Sequence, residues 1–243
     1  MNAKHLLLAL TATAITTLSH AHSLESPRAA DKNAAFDITS ASISSDGRLA
    51  TFMMEVAGSA GSDIPQPIGQ LTGATAHAYA WPTKLDPAIA GFDSGSGILA
   101  LAVTAHPDFD DTPLFDENAD GDPNNDGKSW HSHWVVLVED SACPAGLKVR
   151  DVAPGQDLLP ATAPGLPIAL DSPGMSPILN GHQTRITVPL KDAIGVNFDA
   201  VTAVLQVNQE GAAPLLCLTQ VHDIASGDLS MPGHIIRQPA NNP

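Results

Sequence analysis

Glycine and proline interrupt this chain too often for long helices to form. Nineteen glycines and twenty prolines are spread through 243 residues, and each one breaks helical hydrogen bonding or favours a turn. Between them lie strand-sized runs that alternate in polarity or are rich in β-branched residues: 35–44, 48–57, 74–80, 97–105, 130–139, 146–152, 183–190, 200–208 and 214–222. Ser45-Asp46-Gly47 joins the first two as a hairpin turn. Short runs separated by turn signals predict an all-β fold, an antiparallel β-sandwich with long loops and little helix. The pattern allows one short helix, around 190–195. A single domain is expected over 35–226, preceded by a flexible polar leader at 22–34 and followed by a flexible tail at 227–243. Residues 153–181, rich in Pro and Gly, read as a long loop.

The N-terminus predicts export. Lys4 supplies a positive start, an apolar run follows from Leu6 to Leu18, and Ser19-His20-Ala21 forms a small-x-small cleavage site. Residues 1–21 are therefore expected to be a signal peptide, with secretion to the periplasm or outer cell surface. No later run is apolar enough to insert in a membrane. The formal charge is −15, and removing residues 1–21 takes away Lys4 and no acid, leaving −16. Such a surface argues against nucleic acid and anionic lipid as partners and is compatible with metal ions. Cys143 and Cys217 are the two cysteines. In an oxidising compartment a disulfide between them is expected; the competing role is a thiolate copper ligand.

Residues 116–134, DENADGDPNNDGKSWHSHW, hold two kinds of candidate ligand in succession. First come two copies of D-x-N-x-D-G: Asp116, Asn118, Asp120 and Gly121, then Asp122, Asn124, Asp126 and Gly127. Carboxylate and amide oxygens at this spacing suit calcium. The positions that an EF-hand would fill with a bidentate glutamate hold Gly127 and His133 instead, and helical flanks are missing. The segment resembles the back-to-back Asp/Asn-rich loops of thrombospondin type 3 repeats, which implies shared calcium ions. The simpler alternative is a solvated acidic loop whose Asn-Gly and Asp-Gly pairs make turns.

The second kind is imidazole. In 130–139, WHSHWVVLVE, a period of two puts His131, His133, Val135 and Leu137 on one face of a strand. Trp130, Ser132, Trp134, Val136 and Val138 fall on the other. Two histidines two residues apart start about 6.5–7 Å apart and can converge on one ion, and imidazole suits copper or zinc. A third ligand must come from elsewhere. His77, on the run at 74–80, is the first choice, and His106, at the end of the run at 97–105, is the second. His182, His222 and His234 are weaker candidates. Met231 could add a soft donor beside His234, whereas Met53 and Met54 read as core. Cleavage after Ala21 would leave His22 as the N-terminus, with its α-amine and imidazole forming the chelating half of a histidine brace. A copper oxidase built on it is the enzymatic alternative.

The acidic, β-rich, exported chain with Asp-rich loops and His131, His133, Trp130 and Trp134 in one short segment resembles the surface-associated copper-binding proteins of methanotrophs, the MopE/CorA group. That resemblance implies copper held by His77 and by His131 or His133, and imidazole nitrogens with few other donors suit Cu(I). It also implies that Trp130 or Trp134 is an oxidised ligand or a neighbour of the site. The implied function is copper scavenging or storage without catalysis. No G-x-S-x-G, H-E-x-x-H or glycine-rich phosphate loop occurs to suggest a hydrolase or nucleotide enzyme. A calcium-stabilised surface or matrix protein without transition metal is the remaining alternative.

Overall fold

All nine runs form strands. A computed structural model describes residues 23–107, 116–122, 126–153, 155–209 and 214–238; the expected signal segment, His22 and Asn124 lie outside the described residues. In chain order the strands are β1 (Leu24–Glu25), β2 (Ile38–Ser45), β3 (Leu49–Val56), β4 (Thr75–Pro82), β5 (Ile98–Ala105), β6 (His131–Glu139), β7 (Leu147–Val149) and β8 (Leu170–Asp171). They continue with β9 (Ile178–Asn180), β10 (Gln183–Pro189), β11 (Asn197–Phe198), β12 (Val201–Val207), β13 (Leu216–Ile224), β14 (Gly233–His234) and β15 (Ile236–Arg237). The β2–β3 hairpin turns where expected. Asp46 Oδ1 accepts from the amides of Arg48 and Leu49, both at 2.7 Å, and Gly47 takes φ 94°.

Two layers result, as the sandwich expectation requires, but one of them closes on itself. The first is an open sheet in the order β1-β2-β3-β10-β9, with β15 added in parallel to β2. The second runs β5-β4-β12-β13-β7-β6, and β5 then pairs with β6 to complete a six-stranded barrel. Gly97, at the start of β5, permits that closure. Its φ is 151°, and a Cβ there would stand 2.5 Å from the Leu137 carbonyl oxygen and 2.8 Å from Val136 Cγ1.

Each barrel strand on the stacked side therefore has two buried faces. The outward face of β4, β5 and β6 presents Tyr79, Trp81, Leu101 and Trp134 to Phe52, Ile43 and Met54 of the open sheet. The inward face presents Ala76, Ala78, Val135, Leu137, Ala203 and Leu218 to the barrel interior. Burial on both faces explains why β5 and β6 read as nearly continuous apolar runs rather than as alternating ones.

The expected helix at 190–195 does not form. Asp192 takes φ 52°, outside the helical region, and the segment's end amides bond across the fold, Leu190 to Arg48 and Gly195 to Ile235. Helical structure among the described residues is limited to 3₁₀ turns such as Pro87–Ala90 and Asp126–Lys128. The segments read as a leader and a tail take part in the sheets. Leu24–Glu25 pairs with β2, and Lys32 bridges to buried Asp223. Gly233–His234 pairs with β11 and Ile236–Arg237 with β2, with Ile235 buried between them.

Cys143 and Cys217 form the expected disulfide, with a Cα–Cα distance of 5.3 Å and a sequence separation of 74. It ties the turn after β6 to β13 on the side of the barrel where β7 is only three residues long. A loop of that size corresponds to about 4 kcal/mol in the chain-entropy account. Replacing both cysteines by serine should lower the urea-unfolding free energy by about that amount. Reducing agent should shift the wild-type protein to match and leave the variant unmoved.

Candidate metal centre

The register of β5 against β6 builds the site. His131 stands opposite Thr104 and His133 opposite Ala102, so all four side chains belong to the inward face of the barrel wall. His106 follows β5 two residues after Thr104 and keeps that face. The side chains of His131, His133 and His106 are 0%, 3% and 5% exposed as residues, so little water reaches them. The three rings crowd together, with centroid distances of 4.5 Å for His106–His131, 4.8 Å for His131–His133 and 5.8 Å for His106–His133.

The fourth member comes from the Asp-rich segment. Glu117 Oε2 lies 3.0 Å from His131 Nε2 and 3.3 Å from His106 Nε2. One potential ligand atom from each of His106, Glu117, His131 and His133 falls within 4.8 Å of the others. Among the described residues no other group of three or more His, Cys, Asp or Glu meets that condition.

The Asp/Asn motif holds Glu117 in place. Buried Asp126 accepts from the Glu117 amide through Oδ2 and from the Asn118 amide through Oδ1, both at 3.0 Å. Asp116 accepts from the amides of Asp120 at 3.0 Å and Gly121 at 2.7 Å. Asn118 and Asp120 accept from the amides of Asp120 and Asp122, at 2.9 and 3.0 Å. Gly121 takes φ 97°, which the turn needs. Asp116, Asn118, Asp120 and Asp126, expected as calcium ligands, thus accept from backbone amides in a tight loop.

Contacts behind the rings select the ligand atoms. His131 Nδ1 lies 3.1 Å from the Ser129 carbonyl oxygen, which requires a proton on Nδ1 and turns Nε2 toward Glu117 as the atom to bind a metal. His133 Nδ1 faces the Ser172 hydroxyl at 3.1 Å, leaving its Nε2 for the cluster. Outer partners of this kind orient metal-binding imidazoles and fix their tautomers. The Nε2 atoms of His106 and His131 are 2.7 Å apart. Two imidazole nitrogens on a common tetrahedral ion at ~2.05 Å stand ~3.3 Å apart, so an ion would open this pair by roughly half an ångström.

Electrostatics favour a neutral His133 and an ionised Glu117. Burial pushes His133 down to about 3, against the attraction of Glu117 and with help from the neighbouring His131 and His106. Burial acts to raise Glu117, but its hydrogen bonds to His106 and His131 outweigh that, and its carboxyl sits well below the usual range. Those are the protonation states that bind a metal cation.

The structure separates the other sequence candidates from this cluster. His77 is on β4 opposite Ala105, where Ala76 and Ala78 face inward and His77 and Tyr79 face outward. Its ring stands edge-on to Phe36 at 5.3 Å, and its Nδ1 is 3.1 Å from the Asp63 carbonyl oxygen. The expected His77–His131–His133 trio is therefore split by the barrel wall, and His106 takes the place proposed for His77. Trp130 and Trp134 also project outward, Trp130 bonding to the Gly61 carbonyl at 3.1 Å and Trp134 packing on Phe52 at 6.0 Å. His222 stacks on Phe36 at 4.6 Å, and Met231 is buried in the core. His182 bonds to Gly58, and His234 is an exposed residue of β14. No family model, curated protein or solved structure matches this chain.

Two outcomes follow. Asp126→Asn removes the carboxylate that positions Glu117 without touching a ligand, and metal affinity should fall 10–100-fold in a competition titration with a chromophoric chelator. In metal-stripped protein, His133 and Glu117 both bind protons more weakly folded than unfolded. Unfolded chains therefore gain protons first as pH falls, and stability drops from about pH 6.5 down toward pH 3. Urea midpoints measured with chelator across that range should decline, and His133→Asn should flatten the decline.

Proposed function

We propose that this is an exported carrier or store for one divalent transition-metal ion, copper foremost, held by His106, Glu117, His131 and His133. The observation that supports this most directly is the convergence of three buried imidazoles and one carboxylate, with the tautomer of His131 set by the Ser129 carbonyl. Nitrogen-rich donor sets suit copper, zinc, nickel and iron, and among divalent ions copper binds a given site most tightly. The carboxylate shifts the preference from Cu(I), expected from histidines alone, toward Cu(II), because an anionic oxygen is a harder ligand. The expected signal peptide and the strongly acidic composition are in keeping with a protein that meets metal ions outside the cytoplasm.

Metal analysis after purification with copper and zinc both supplied tests the reading. One copper per chain is expected, with nitrogen hyperfine structure in its electron paramagnetic resonance spectrum. His106→Ala and His131→Ala should each weaken copper at least 100-fold, while His77→Ala should leave stoichiometry and spectrum unchanged. Loss of copper in His77→Ala with retention in His106→Ala would sink the assignment.

A further inference from the structure

We infer that the interior of the barrel binds a medium-chain aliphatic carboxylate, its head group at the metal centre and its chain along the lumen. This rests on the metal reading above and adds the chemistry of a guest.

A six-stranded barrel is narrow. Even eight strands leave an interior that side chains fill. Here the inward positions carry alanine where the wall would need bulk to close: Ala76, Ala78 and Ala80 on β4, Ala102 on β5 and Ala203 on β12. A cavity of about 250 Å³ remains, far larger than the rare voids of a packed interior. Its wall is almost wholly aliphatic, with Val135, Leu137, Leu205 and Leu218 completing the sides. An apolar cavity of ~150 Å³ admits benzene, so ~25 Å³ per carbon gives this lumen room for ~10 carbons.

One end of the cavity is polar. His106, Glu117 and His133 line it together with Thr104. Thr104 is 6% exposed, and its hydroxyl has no hydrogen-bond partner among the described residues. A buried hydroxyl left without a partner loses its hydration with no return, and this one is two residues from His106 and opposite His131. Three neutral imidazoles and one carboxylate leave a divalent ion with one net positive charge. A carboxylate guest cancels that charge and accepts the Thr104 hydroxyl, while its chain takes the aliphatic lumen. An amphiphile with one anionic end matches this arrangement, whereas a sugar, a peptide or a polyamine would strand polar groups against the wall.

Calorimetric titration of purified protein with n-alkanoates, with copper content measured on the same sample, tests this. Decanoate should bind one per chain. Affinity should rise about fourfold per methylene from hexanoate to decanoate and stop rising once the chain outgrows the lumen. Thr104→Val and removal of copper should each weaken decanoate about tenfold. Ala80→Leu combined with Ala203→Leu should abolish decanoate binding while copper stays at one per chain. The chain-length series needs no variant, so it stands even if the double substitution fails to fold. Copper-replete protein that ignores decanoate, or binds all chain lengths equally, overturns the lumen proposal and leaves the metal reading intact. Decanoate bound equally well with and without copper overturns the head-group placement. Protein that binds neither copper nor zinc defeats the metal reading itself.

Discussion

The pairing of β5 with β6 is the interaction on which the rest of the molecule depends. Without it the second layer is an open sheet, and the inward faces of its strands have no enclosed space to share. With it, Thr104 meets His131 and Ala102 meets His133, the barrel closes, and the histidines turn away from water. The same register sends Trp134 and Val136 outward into the core shared with the open sheet. A slip of one residue would exchange the two faces. It would place tryptophans in the lumen and histidines against Phe52. The geometry at Gly97, where a side chain would collide with the Leu137 carbonyl, belongs to the same constraint.

The Asp-rich loop and the histidine strand are parts of one device. Carboxylates that look like ligands in the sequence accept from backbone amides, and the loop they stiffen delivers Glu117 into the imidazole cluster. Repelling acids are tolerable in so short a segment because their charges are met at close range by backbone N–H dipoles. The motif therefore contributes to the cluster through a residue at one of its unspecified positions, the x after Asp116.

Much of the fold was legible because burial and turn chemistry act locally. Strand positions, the hairpin at Ser45-Asp46-Gly47 and the two faces of 130–139 follow from alternation and from residues that favour turns. The disulfide follows from a cysteine count of two in a chain whose N-terminus reads as an export signal. Other features depended on partners distant in sequence. Residues 190–195 have helical composition, but their amides bond to Arg48 and Ile235. Residues 24–25 and 233–237 look too polar or too short to order themselves and do so by adding to existing strands. His77 and His106 are both candidate third ligands by sequence, and pattern does not rank them. The runs that carry them are apolar on both faces, so alternation does not say which way either histidine points.

By itself the sequence determined an all-β chain with His131 and His133 on one side of a strand and both tryptophans on the other, because a period of two is a property of the extended backbone. It also determined that an acidic, tightly turning loop stands directly before that strand. Only the tertiary structure decided which side of the strand is the inside. That choice rests on a closing strand pair between residues some thirty positions apart, and it replaces His77 with His106, recruits Glu117, and sets the resulting cluster at the end of an alanine-lined lumen.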